Sequence, residues 1–243
     1  CNPFVTAGQA VADFIWMSDI SGSTDDDRGR VAQAAQRVFQ ELSNNGVDFR
    51  MGVVQHIENT INRGAGNGGT LLGNGFTRNQ ADFVNSFNQG GGDGCEFGLD
   101  AASSAITRAL PRTPAGTPEN ARRLREGATL AVLYISDEYA QEVTEGQCGI
   151  DPGGAACNTG VGDLFSAGNN NICQFAPNAA QQACIDQVVA PYIQQIRDQG
   201  GVAFAQVINP NPAGACNQGQ FRCPQPGSQE ANEPGRGYIE VVN

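Results

Sequence analysis

Asp19, Ser21 and Ser23 stand at alternate positions in "SDISGS", directly after an apolar run, and aspartates follow at 25, 26 and 27. Oxygen side chains spaced this way, where a strand gives way to a helix, suit a hard divalent cation. A simpler reading is a helix cap, with Ser23 or Thr24 as N-cap and the acids in the first turn, where the helix dipole favours them. The two readings are compatible. A second apolar run ends in the same fashion, with Asp137 in "LYISDEY". Ligands of parallel sheets bind beyond the carboxyl ends of the strands. Two carboxylates from neighbouring strand ends repel one another unless a positive charge lies between them, which favours a metal over a cap alone.

The elements that must position these residues follow from periodicity. Residues 11–18 form a short, almost continuous apolar run, the pattern of a strand covered on both faces. Val31, Ala34, Ala35, Val38, Phe39 and Leu42 recur at helical spacing, and Asn44-Asn45-Gly46 stops that helix. Further strands are expected at 47–57, 128–136 and 201–208, with a short edge strand near Thr70–Leu72. Helices are expected at 79–87, 98–110 and 179–200, the last kinked at Pro191. The run at 128–136 is the most apolar and belongs in the middle of the sheet. Strands alternating with helices predict an α/β fold: a doubly wound, mostly parallel central sheet flanked by helices. Trp16 reads as core, and the lone His56, near a strand end, as structural.

The chain of 243 residues reads as a single domain over 1–243, with its core at about 10–208 and insertions at about 138–177 and 209–237. Both insertions are polar, rich in Gly, Pro and Asn, and hold most of the cysteines. A formal charge of -11 argues against nucleic acid and against electrostatic docking on an anionic membrane. No apolar run is long enough for a transmembrane segment. Eight cysteines without a C-x-x-C pair, beside one histidine, point to disulfides rather than zinc. The insertions are therefore expected to be pinned by disulfides in an oxidising compartment: extracellular or cell surface, with the periplasm also open. Closeness in sequence favours Cys216–Cys223, then Cys173–Cys184 and Cys148–Cys157, leaving Cys1–Cys95. Cys1 could instead carry a lipid. Without a signal peptide, the sequence is expected to be a mature or trimmed form. The closing "GYIEVVN" is expected to be a last element of the fold or the place where the chain is shortened.

The order of apolar strand, D-x-S-x-S, amphipathic helix and later apolar strand ending in Asp resembles the von Willebrand factor A domain, over about residues 10–208. In that family these residues form the metal-ion-dependent adhesion site. The resemblance implies Asp19, Ser21, Ser23 and Asp137 as metal-site residues. The family's threonine loop corresponds to "GGGDGCEFGLDAA", which has no threonine, so Asp93 and Glu96 are the oxygen donors there. Their alternative roles are a turn residue for Asp93 and a first-turn helix acid for Glu96. Asp26 and Asp27 correspond to the acids of an adjacent calcium site in the A-like domains of β integrins, or are solvated helix acids.

The function expected from this resemblance is an extracytoplasmic adhesion or protein–protein interaction module. Its Mg²⁺ or Ca²⁺ would accept an acidic side chain from a protein ligand. The alternative is a structural surface or filament subunit, with self-assembly, in which the cation only braces the fold. A third carboxylate from Asp93 or Glu96 would hold the cation more tightly and weaken capture of a partner's acid. An enzyme is not expected. A phosphotransferase would place a second acid where Ser21 stands, and G-x-S-x-G and H-E-x-x-H are absent.

Overall fold

The computed structural model describes residues 10–19, 24, 28–56, 69–88, 97–136, 140–144, 179–207 and 238–242. Four strands, β1 (Val11–Ser18), β2 (Asp48–Gln55), β3 (Thr129–Ser136) and β4 (Val202–Val207), form one all-parallel sheet in the order β2-β1-β3-β4. The helices are α1 (Arg28–Asn44), α2 (Gln80–Phe87), α3 (Gly98–Arg108), α4 (Gln141–Thr144), α5 (Ala179–Asp198) and α6 (Tyr238–Val241). This is the expected α/β architecture, and the apolar run at 128–136 does lie inside the sheet.

Side chains alternate across the sheet, so each strand feeds two cores. Ile15 and Met17 of β1, Val54 of β2, and Leu130, Val132 and Tyr134 of β3 pack with α3, α5 and α6. Trp16, Met51, Val53 and Ile135 pack on the opposite face with Ala35 and Phe39 of α1 and Phe83 and Phe87 of α2. Trp16 is the core residue expected, meeting Phe83 and Phe87 edge-on at 5.5 and 5.9 Å. Burial on both faces is what gives these strands continuous apolar runs rather than strict alternation.

Several local expectations change. The first turn of α1 carries no acid. Thr24 is buried and donates to the Asp19 carbonyl at 3.4 Å, and the expected cap at Ser23 or Thr24 turns on residues 25–27, which lie outside the described residues. The expected edge strand at Thr70–Leu72 is absent. Gly69, Gly73 and Gly75 adopt positive φ and turn the chain, leaving one bond from Leu72 N to the Val53 carbonyl and an antiparallel bridge between Thr77 and Met51. Helix α3 stops at Arg108, short of residue 110, because Pro111 disfavours helical backbone at Leu110 and brings no N–H. Helix α5 runs on through Pro191, and "GYIEVVN" contributes the short α6.

At the N-terminal end of the sheet, Asp13 is fully buried between two arginines, a feature the apolar reading of 11–18 missed. Arg50, its register partner on β2, donates from Nε to Oδ1 at 3.0 Å and from Nη2 to Oδ2 at 2.8 Å. Arg125 adds its backbone N–H to Oδ2 at 2.7 Å and Nε to Oδ1 at 2.9 Å. Arg125 also pairs with Asp48 at 2.8 Å, and Arg78 bridges Asp48 and Glu119 nearer the surface. Three acids and three arginines thus neutralise one another through mostly charge-assisted bonds. The cluster clamps β1, β2 and the approach to β3.

Candidate cation site at the carboxyl end of the sheet

Ser18 pairs in register with Gln55 of β2 and Ile135 of β3. The next residues along those three strands are Asp19, His56 and Ser136, which therefore form one row across the sheet. Asp19 N donates to the Ile135 carbonyl at 2.9 Å, and His56 N to the Ser18 carbonyl at 3.4 Å, continuing the ladder past β1. By strand alternation the three side chains share the face of Met17, Val54 and Tyr134, toward α3, α5 and α6. All three are buried, at 3, 4 and 2% exposure respectively.

Ser136 Oγ donates to Asp19 Oδ2 at 2.8 Å. On the other side, His56 Nδ1 stands 3.4 Å from Asp19 Oδ1. Ser18 Oγ donates to the Asp19 carbonyl at 3.2 Å, so the main chain as well as the carboxylate is fixed. An ionised carboxylate out of water needs positive charge or several hydrogen bonds to stay charged. A buried carboxylate flanked by a hydroxyl and an imidazole is a donor set that fits a divalent cation. Among the described residues, no three His, Cys, Asp or Glu side chains come together as a metal-holding group.

Of the residues expected at the site, the structure places Asp19. Ser21, Ser23, Asp26, Asp27, Asp93, Glu96 and Asp137 lie outside the described residues. The strands preceding Asp19 and Asp137 are direct neighbours, the adjacency on which repulsion between the two carboxylates depends. Cys184 on α5 is disulfide-bonded; the seven other cysteines of the expected pairs lie outside the described residues.

Sequence reasoning missed the support beneath this edge. Glu142 of α4, buried, accepts from the Asp100 backbone N–H at 2.8 Å, and so caps α3 from a neighbouring element. The N-cap residue itself, Phe97, offers no side-chain acceptor. Asp100 Oδ1 in turn accepts from Tyr192 on α5 at 2.5 Å. Tyr134 stacks on Tyr238 of α6 at 5.4 Å. Burial, and then the Glu142 carboxylate, push the Tyr134 hydroxyl far above its ordinary pKa, so it stays protonated. For His56 and Ser136 a signal was available: counting strand parity from Val54 and Tyr134 puts both on the face of Asp19.

No protein-family model and no curated protein matches this chain. Among solved structures it is similar to proximal thread matrix protein 1 from the mussel byssus. The TM-score there is 0.35, with 9% identity over 81% of this chain and 38% of that one. It is also similar to the pilus adhesin SpaC from Lactobacillus rhamnosus GG. That match has a TM-score of 0.44 and 11% identity, over 84% of this chain and 24% of that one. This chain thus spans well under half the length of either.

Proposed function

We propose that the chain is a von Willebrand factor A-like interaction module. It acts outside the cytoplasm and binds a protein partner through a divalent cation at the carboxyl edge of its sheet. The observation that carries this reading is the Asp19 carboxylate, buried between the ends of three adjacent parallel strands and held from one side by Ser136. In the order β2-β1-β3-β4 the chain steps from β1 out to β2, then crosses back past β1 to β3 and on to β4, so Asp19 stands where the sheet's winding reverses. Crevices at such points are where ligands bind in sheets of this type.

In this reading Asp19 and Asp137 supply the negative charge, and Ser21 and Ser23 supply neutral oxygens, with Asp93 or Glu96 as a further donor. With the carboxylates partly behind the hydroxyls, Mg²⁺ or Ca²⁺ keeps residual positive charge and takes a partner's carboxylate in an open coordination position, and a third carboxylate weakens that capture. This is recognition, with no bond broken. Among the described residues no helix is long and apolar enough to cross a membrane. Disulfide pinning of the two insertions belongs to the same proposal; Cys184, on α5 between them, is disulfide-bonded.

Calorimetric titration of chelator-treated protein tests this reading. Wild type should bind Mg²⁺ or Ca²⁺ and Asp19→Ala should not. Wild type that binds neither cation would leave the edge without its proposed chemistry.

A further inference from the structure

The two edges of the sheet end differently. Outside β2 the chain supplies a partner: Leu72 N donates to the Val53 carbonyl at 2.8 Å, and Met51 and Thr77 exchange backbone bonds at 2.9 and 2.8 Å. Strand β4 is the other edge, and on its outer side no described residue pairs with it. Edges of this kind are usually guarded by a charged side chain, a proline or a bulge. The strand "VAFAQV" carries no charge and no proline, and its register with β3 runs unbroken from Val202 to Val207. Ala203 and Ala205 pack against the core under α3, α5 and α6, so Val202 and Phe204 point to the opposite face. That face is the one of Leu133, the register partner of Phe204, which packs with the core under α1 and α2. Those two helices lie on β2, at the far edge, and Val202 and Phe204 are 47 and 53% exposed.

Single apolar side chains on a surface need no explanation, but two at alternate positions of an unguarded edge form a stripe beside open backbone groups. We propose that a second copy of the chain docks here, its own β4 pairing antiparallel and joining two four-stranded sheets into one about a two-fold axis. Charge and symmetry choose this occupant. An uncharged β4 lets two copies meet without the repulsion that a formal charge of -11 sets up between them elsewhere. A two-fold axis normal to the sheet keeps faces together, so Val202 and Phe204 of each copy lie beside those of the other and cover one another. Antiparallel pairing also sets the entrance of each β4 beside the exit of its partner. At the entrance stand Arg112, bonded to the Gln199 carbonyl at 2.8 Å, and the exposed Arg197, against one acid, Asp198. Toward the exit lies α6 with Glu240, packed on β4 and stacked through Tyr238 on Tyr134, the register partner of Ala205. Parallel pairing would put like ends together.

This association needs no cation, so it is measured in chelator and stands or falls apart from the proposed function. Sedimentation equilibrium from about 1 μM to about 100 μM is expected to show a reversible monomer–dimer transition. Amide hydrogen exchange over the same range is expected to slow at alternate residues of β4 and at none of β2. Phe204→Lys puts a charge at an exposed position, keeps the fold, and is expected to raise the dimer dissociation constant by about tenfold or more. Val202→Lys probes the same stripe independently, in case Phe204→Lys loses its cooperative thermal transition. A chain that stays monomeric up to about 100 μM overturns the proposal, as does a dimer that neither lysine variant weakens. Amides of β4 protected equally at every concentration would show the edge covered within one copy, and would overturn it as well.

Discussion

Asp13 and Asp19 belong to the same strand and its end, share one face, and are both buried, yet their partners differ in kind. Asp13 receives two guanidinium groups and a backbone N–H; Asp19 receives a hydroxyl and faces an imidazole. The first is a completed ion cluster, so removing its central charge leaves two buried arginines facing one another. Asp13→Asn is expected to lose about 3–5 kcal/mol of stability, read from urea unfolding. Asp19→Asn in metal-free protein is expected to cost less than Asp13→Asn, since the described contacts of Asp19 include no guanidinium. Added cation should reverse that ranking by stabilising the wild type alone. Equal losses for the two variants without metal would contradict this division between structure and site. Ser136→Ala should cost about 1–3 kcal/mol, the range for stranding a buried hydrogen-bonding group.

Helix α3 illustrates how elements rather than residues build the carboxyl edge. Its N-cap residue, Phe97, makes no side-chain cap bond, and the helix end is held by Glu142 from α4 and by the tyrosine of α5 that bonds Asp100. Glu142→Ala is expected to cost about 0.5–2 kcal/mol, the usual range for losing a helix cap, whereas Glu142→Gln keeps an acceptor oxygen and most of the stability. If the two variants melt alike, the cap contributes nothing. At Gly98, the first residue of α3, an added Cβ would lie 2.2 Å from the Tyr238 hydroxyl and 2.6 Å from Met17 Cε. The helix approaches β1 and α6 this closely only because that residue has no side chain. Gly98→Ala should therefore destabilise by about 1–3 kcal/mol, as overpacked cores do, and loosen α6 first. Hydrogen exchange at residues 238–242 reads that effect.

Over the whole molecule the two ends of the sheet divide the work. The amino end is clamped by the arginine–carboxylate cluster, and the carboxyl end holds the row proposed to bind a cation. The clamp gives the protein an acid-sensitive limb. Burial pushes the Asp48 carboxyl up, but hydrogen bonds and charge from Arg78 and Arg125 outweigh it and hold it below its ordinary value. The Arg78 hydrogen bond does the same for Glu119, against a smaller effect of burial. Groups with depressed folded-state pKa values add stability above their unfolded values, about 3.9 for Asp and 4.3 for Glu, and lose it as pH falls through the lower folded values. The urea midpoint is thus expected to hold between about pH 7 and 5 and to drop below about pH 4. Arg78→Gln should flatten that drop, and salt should weaken the contribution of this part-exposed pair. An unchanged acid limb in Arg78→Gln would place its origin elsewhere.

The sequence by itself determined the class of fold and the approximate positions of its main elements. Strand β1 and helices α1 and α2 fall close to where apolar spacing and the Asn-Asn-Gly stop put them, because those signals act within a few residues. It also singled out Asp19, an acid directly after a nearly continuous apolar run, as a candidate ligand. Tertiary structure alone decided what Asp19 meets. His56 and Ser136 lie 37 and 117 residues from it in the chain, and only the strand order and register bring the three into one row. The same holds for Asp13, Arg50 and Arg125, and for Glu142 beneath α3. Each is a polar residue in a stretch whose local pattern says strand, turn or short helix. Burial becomes tolerable only through a partner supplied by another element, and pairing across elements is fixed by sheet topology rather than by neighbours in sequence.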